Sequence, residues 1–480
     1  MAGGKRRIMR WAAVASSTLV LGLVTVSGAA PAITTAANGI FPAVTNDFAF
    51  LSSDQAPPTE DQCYSVSRRC FSPDSMRNSY NLGPLYDQGY DGTGMTIAVV
   101  DSFGSSTIAD DLSVFDTEFN LPHLCGEANV TCEPGMPTFS ILKEQGPKPK
   151  GTGNGNQEDR SAWSIETSLD VEWAHAIAPG ANILLVTTPT AETLGVQGFP
   201  QFMNAEDDVV QNDLADVISQ SFASTEQAFS SIESLLNLRY AFEDAQAAGV
   251  TVLASSGDFG SEGILKAPVG HGGTELPYPA VWWPASDPLV TGVGGTYLCT
   301  DAETGTTIDN VNPPVNCQVD PPQREIGWIA GGGGFSVDFT RPSFQDVLPA
   351  GSTPIPADQR GVPDISYQAS SRTGVLVYDS MFENSGLICP DGNPCSPGWY
   401  AVGGTSSGSP QWAGLVAIAD QINGGRIGEL NPLLYQIAAD PTSYAADFYD
   451  VTTGTNQLDP NVAGYVASTG WDPVTGLGTP

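Results

Sequence analysis

Four oxygen-bearing side chains stand at spacings that suit covalent catalysis. Ser406 lies in Gly403-Gly404-Thr405-Ser406-Ser407-Gly408-Ser409-Pro410, a small-residue run leading into the apolar stretch Gln411–Ala419. Such a run can place a nucleophilic hydroxyl at the start of a buried helix. Glycine there lets a substrate backbone come close, and proline is tolerated in a first turn whose amides have no helical partner. Those free amides and the helix dipole favour negative charge, so the Ser406 N–H is a candidate oxyanion donor. The same residues also describe an ordinary capping loop. The choice depends on whether the chain supplies a base, an orienting group and a second oxyanion donor.

The stretch from Ser161 to His175 reads as a helix with Ile165, Leu169 and Trp173 as its apolar stripe. Glu166 and Asp170 are four residues apart and so share one face of it. Taken alone, the pair reads as a solvated face. As a functional pair it would hold one proton between two carboxylates, because adjacent acids resist double ionisation. Glu166 would then accept the Ser406 proton while Asp170 orients it. Asp258 follows the apolar run Thr251-Val252-Leu253-Ala254 in Ser256-Gly257-Asp258-Phe259-Gly260, where strand ends of open parallel sheets carry sites. An Asx-turn is the plain reading. The chemical reading is a protonated carboxyl donating to an oxyanion, a role open only to the neutral acid. The roles of Glu166 and Asp258 together predict a bell-shaped rate profile with both limbs in acid.

These side chains need a rigid frame, and the chain alternates short apolar runs with helical patterns. Strands are expected at Thr96–Val100, Asn182–Val186, Asp216–Ser219, Thr251–Ala254 and Leu289–Val293, with a helix from Thr225 to Ala248 capped by Gly249. Apolar strands alternating with helices imply an α/β fold, a parallel sheet covered on both faces. The Gly/Pro-rich stretch from Asp301 to Arg360 is expected to form surface loops and a β-hairpin, with Gly332 to Ser336 lining the cleft.

Glu166-x-x-x-Asp170, Ser256-Gly257-Asp258 and Gly404-Thr405-Ser406, in this order, resemble the sedolisins, the serine-carboxyl peptidases. Ala178-Pro179-Gly180-Ala181, Val293-Gly294-Gly295-Thr296, Gly332–Ser336 and Val362-Pro363-Asp364 add to the likeness, which runs from about Phe71 to Pro480. The resemblance implies a subtilisin-like sheet flanked by helices on both faces, a Ser-Glu-Asp triad and an aspartic acid at the oxyanion. It also implies endopeptidase or tripeptidyl-peptidase action on protein or peptide substrates at acidic pH. One structural Ca²⁺ is implied in a C-terminal loop, held by the carboxylates of Asp450 and Asp472 and the carbonyls of Val451, Ser468 and Gly470. These make an all-oxygen shell suited to calcium; without the resemblance the same residues read as two Asp-rich turns.

Two other readings compete. A subtilisin-type peptidase needs Asp, His and Ser. Asp101 ends a strand where such an aspartate would sit, but no His-Gly-Thr motif follows it. His123 reads as a loop residue, His175 as structural and His271 as part of an exposed turn, so Asp101 is expected to be structural or to line the cleft. The second competitor is a catalytically silent secreted binding protein on the same fold.

The chain has 480 residues and a formal charge of -35, with 18 Lys and Arg against 53 Asp and Glu. Nucleic acid and anionic lipid are poor partners for such a surface, since phosphate binding needs clustered cations. A charged fraction of 15% is low for a halophile, so the balance favours a protein working in acid. Lys5, Arg6, Arg7 and Arg10 precede an apolar run and then small residues, the layout of a signal peptide at 1–30. Residues 31–75 are expected to be an extended leader without a full propeptide, and 76–480 the sedolisin-like peptidase domain. The expected product is a secreted monomer with no membrane contact after signal cleavage. Eight cysteines fall into close pairs, Cys63/Cys70, Cys125/Cys132, Cys299/Cys317 and Cys389/Cys395, and read as four loop-stapling disulfides of an exported protein.

Overall fold

Alternation along one strand explains the architecture. In β1 (Thr96–Ser102), Ile97 and Val99 pack on one side of a sheet while Ala98 and Val100 pack on the other, and all four are buried. A strand that is apolar on both faces must be sandwiched. The computed structural model describes residues 41–42, 48–143, 155–189, 196–265, 274–311, 313–381 and 395–480. The expected signal peptide at 1–30 lies outside them.

The sheet contains β1, β2 (Phe139–Lys143), β3 (Asn182–Thr188), β4 (Val217–Gln220), β5 (Thr251–Ser255), β6 (Thr291–Leu298), β7 (Glu325–Gly327) and β8 (Ile365–Gln368). Their order is β7-β6-β5-β4-β1-β3-β2, with β8 also pairing β6. Every pair is parallel except β6–β7. One face is covered by α1 (Ile108–Phe119), α2 (Gly155–Ile177) and α5 (Thr405–Asn423), the other by α3 (Phe199–Gln211) and α4 (Tyr240–Ala248). The α/β reading therefore holds.

Local details differ from the sequence expectations. The helix expected over Thr225–Ala248 is broken. Residues Phe222–Thr225 are a strand, Ile232–Leu236 a short helix and Tyr240–Ala248 the second. Ser231 starts the short helix with a capping box to Ser234, and upstream Glu226 is drawn into the interior by Ser336 and Val337. Gly249 does end α4 in the left-handed conformation. The strand expected at Leu289–Val293 starts two residues later, because Asp287 binds the Leu289 and Val290 amides in a turn. Residues Ala49–Ser52 and Arg69–Phe71, in the stretch expected to be extended leader, are strands of a four-stranded sheet with Thr373–Asp379 and Gly398–Val402. Phe71 is fully buried there, and burial of such aromatics draws this stretch into the fold. Disulfides join Cys63–Cys70, Cys125–Cys132 and Cys299–Cys317; Cys395 is also disulfide-bonded, and its expected partner Cys389 lies outside the described residues. Between Asp301 and Arg360 the chain is mostly loop, and its strand Gly334–Phe335 pairs antiparallel with Gly361–Val362.

Candidate active site

Ser406 is the second residue of α5 and is fully buried. Gly404 enters the helix at φ 109°, a conformation that side-chain-bearing residues rarely adopt. Helix α5 lies against α2 with almost no spacer: a methyl group added to Gly414 would stand 2.8 Å from Ile177 Cβ. On its other side, one added to Gly408 would meet Val293 Cγ1 at 2.9 Å. Glycine is a poor helix former, and here it is the residue that lets three elements meet.

Helix α2 presents Glu166 and Asp170, both fully buried. Burial pushes the Glu166 carboxyl well above the ordinary range; Asp170, then Asp101 and Asp258, push it further, while the Ser406 hydroxyl pulls it back. Ser406 is thus within electrostatic reach of Glu166, although its Oγ forms no hydrogen bond at conventional distance. Asp170 is also raised, by burial and then by Asp101, and Ser221 Oγ donates to its Oδ1 at 2.9 Å. Asp101, at the end of β1, is buried and pushed up to about 7, with Thr167 opposing the rise. Three sealed acids side by side cannot all carry charge, so they hold protons among them.

Asp258 follows β5 after Gly257, whose φ of 106° turns the chain at the strand end. Its Oδ1 accepts from Thr405 N at 2.8 Å and from Thr405 Oγ1 at 2.9 Å. Its Oδ2 is sealed from solvent and has no hydrogen-bond partner. Burial lifts this carboxyl from 3.8 to about 8, against the lowering effect of Thr405. The acid is neutral over a wide range, with one oxygen committed to α5 and the other free to carry the proton. Gly332 N donates to Gly257 O at 2.7 Å and Ser256 Oγ to Gly332 O at 2.8 Å, so the glycine loop braces this turn.

Ser406, Glu166, Asp170 and Asp258 are therefore brought together. Asp101 joins them, which the sequence left undecided: its place at a strand end was legible, the helix packed over it was not. Thr405 and Ser221 were missed; the only available signal was their adjacency to Ser406 and to a strand end. The described histidines take no part, since His175 contacts Asp116 and His123 contacts Glu127.

The two C-terminal loops also converge. Gly470 N donates to both oxygens of Asp450, at 3.1 and 3.0 Å, and Ser468 N donates to Asp472 Oδ2 at 2.8 Å. Thr475 Oγ1 reaches Val451 O at 3.5 Å. Asp472 is pushed up to about 7, mostly by burial and finally by Asp450, and among the described residues neither carboxylate has an ion pair. Two neighbouring carboxylates, with the Val451 carbonyl close to Thr475 beside Asp472, offer oxygen donors of the kind a hard cation takes.

Known proteins resemble the chain over most of its length. No family model matches the chain. Kumamolisin of Bacillus sp. (strain MN-32) is 29% identical over 431 residues, covering 88% of this chain and 64% of that protein. Sedolisin of Pseudomonas sp. (strain 101) is 31% identical over 338 residues, covering 68% of this chain and 50% of that protein. The solved structure of Pseudomonas sedolisin, a serine-carboxyl proteinase, matches with a TM-score of 0.61 at 26% identity, covering 86% of this chain and 95% of that one. The chain belongs to the sedolisin family. It spans about half to two thirds of the length of the curated relatives it matches.

Proposed function

We propose that this protein is a serine-type peptidase that cleaves peptide bonds through an acyl-enzyme on Ser406. The observation that carries the proposal is the divided Asp258 carboxyl, one oxygen anchored by Thr405 and the other buried without a hydrogen-bond partner beside the start of the Ser406 helix. Ser406 Oγ attacks the substrate carbonyl carbon and its proton passes to Glu166. The oxygen anion that develops is held by the Asp258 O–H and the Ser406 N–H. Collapse breaks the C–N bond, and the departing amine takes the proton from Glu166. Water then repeats the sequence on the ester and frees Ser406. Asp170 and Asp101 orient Glu166 and hold the proton that keeps this cluster from accumulating charge.

Acid action is part of the proposal. The scarcity of cations supports it. Burial nevertheless moves the alkaline limb away from the acid side expected of free carboxyls, because Asp258 keeps its proton up to about 8. The natural substrates are read as proteins or peptides, cut by endopeptidase or tripeptidyl-peptidase action; matching proteins include a tripeptidyl-peptidase and a serine-carboxyl proteinase. One Ca²⁺ would be held by Asp450 and Asp472 with the Val451, Ser468 and Gly470 carbonyls, and would supply structural charge neutralisation. Secretion as a monomer is part of the proposal, and the disulfides support export. The test is peptide hydrolysis from about pH 3 to 9 by wild type and Ser406→Ala. Equal rates would end the proposal in favour of a silent binding protein.

A further inference from the structure

A second cluster of chemistry-bearing side chains lies apart from the serine. Helix α1 ends at Asn120 in the left-handed conformation, and the chain turns into a loop carrying His123 and Glu127, stapled by Cys125–Cys132. The loop folds back on Asp116, in the last turn of α1, and on His175, in the last turn of α2. His123 Nδ1 stands 2.5 Å from Glu127 Oε2, while Glu127 Oε1 accepts from Leu124 N. One ligand atom each from Asp116, His123 and Glu127 lie within 4.8 Å of one another.

Asp116 makes this more than an ion pair. Its side chain is fully buried, and its oxygens make close approaches to His175 and Glu127 without a well-formed hydrogen bond. The nearest cationic group is His175 Nε2, 3.3 Å from Oδ2, and that nitrogen also lies 3.0 Å from Pro122 O. Among the described residues, no lysine or arginine pairs with Asp116 or Glu127. Two carboxylates and the His123 imidazole thus converge with no lysine or arginine among the described residues beside them, and with His175 as the basic neighbour of Asp116. A buried carboxylate without full pairing is costly.

We propose that Asp116, His123 and Glu127 form a site for one divalent transition-metal ion of the zinc class. The mixed nitrogen and oxygen donor set suits such an ion better than calcium, which takes oxygen ligands. Ligand atoms around a tetrahedral zinc lie about 3–3.5 Å apart, so the His123–Glu127 pair, 2.5 Å apart here, would open slightly as the ion enters between them. His123, with 36% of its side chain exposed, provides the entry path and leaves a position open to water. His175 acts as a positioning residue: its ring, placed between Pro122 O and Asp116, fixes the carboxylate, as outer partners of metal ligands commonly do. An ion here would tie the ends of α1 and α2 to the stapled loop.

The site is independent of the peptidase reading and is tested without activity. Zn²⁺ is titrated calorimetrically into the full chain near about pH 7, where imidazole is largely neutral, with excess Ca²⁺ present to fill oxygen-only sites. One Zn²⁺ per chain is expected for wild type. His123→Ala, at a partly exposed position that folding tolerates, and Glu127→Gln should each bind at least about tenfold more weakly. Binding of Co²⁺ should give a visible absorption band that both variants lose. Absence of Zn²⁺ binding in wild type, or binding unchanged in both variants, overturns the proposal.

Discussion

Replacing Asp258 separates its two oxygens. In the wild type the carboxyl's rise from 3.8 to about 8 corresponds to about 5–6 kcal/mol favouring the neutral acid. The donor form is therefore complete in acid and is lost as pH rises through about 8; at pH 9 about one tenth remains. Asparagine keeps Oδ1 for the two Thr405 bonds and places an amide where Oδ2 stood, so its donor does not titrate. Asp258→Ala removes the donor and should lower kcat/KM by about 10²–10³, or about 2.7–4 kcal/mol. Asp258→Asn should stay much closer to wild type near pH 5, and its activity relative to wild type should rise about tenfold between pH 6 and 9. A fluorogenic peptide assay across this range reads both effects. A pH-independent ratio would detach the alkaline limb from Asp258, and an alanine variant as fast as wild type would refute the donor role.

Ser406→Ala and Glu166→Gln should each abolish most turnover, and the double variant should be no slower than either, because both act in one step. Additive losses would assign Glu166 to a separate task. Glu226 is buried and pushed up to about 7 from 4.5, so the fold binds its proton more tightly than the unfolded chain does. Its contribution is intact below about pH 4 and is lost as pH rises through about 7, a cost of about 3 kcal/mol seen as a lower urea midpoint at neutral pH. Glu206, fully buried and raised by burial alone, predicts that Glu206→Gln raises Tm at neutral pH but not at pH 4. Equal shifts at both pH values would point to packing instead. EGTA should lower Tm of the wild type and leave Asp450→Asn unmoved; an indifferent wild type would remove the calcium assignment.

Much of the site was legible because its parts obey local rules. Glu166 and Asp170 share a face by helical spacing, and Asp258 follows a strand whose apolar run is unambiguous. What could not be read was tertiary. The proton cluster gains Asp101 only because α2 crosses over the end of β1. Asp116, His123, Glu127 and His175 come from two helix ends and a loop, and no sequence spacing joins them. The helix expected over Thr225–Ala248 failed where Ser230 and Ser231 offered the backbone a capping alternative, which serine does readily. Residues 49–52 and 69–71 looked extended since short strands show little periodicity until a partner strand is known.

The seam between α2 and α5 carries a last implication. Ser406 and Glu166, its proposed base, ride on different helices, and their separation is set by what Gly414 lacks. Alanine there would have to push Ile177 and its helix outward, since the added carbon would sit 2.8 Å from Ile177 Cβ. Proton transfer between hydroxyl and carboxylate tolerates little such drift. Loss-of-function changes should therefore surface two turns along α5 from the proposed nucleophile, in a protein that still folds, at a seam between two helices.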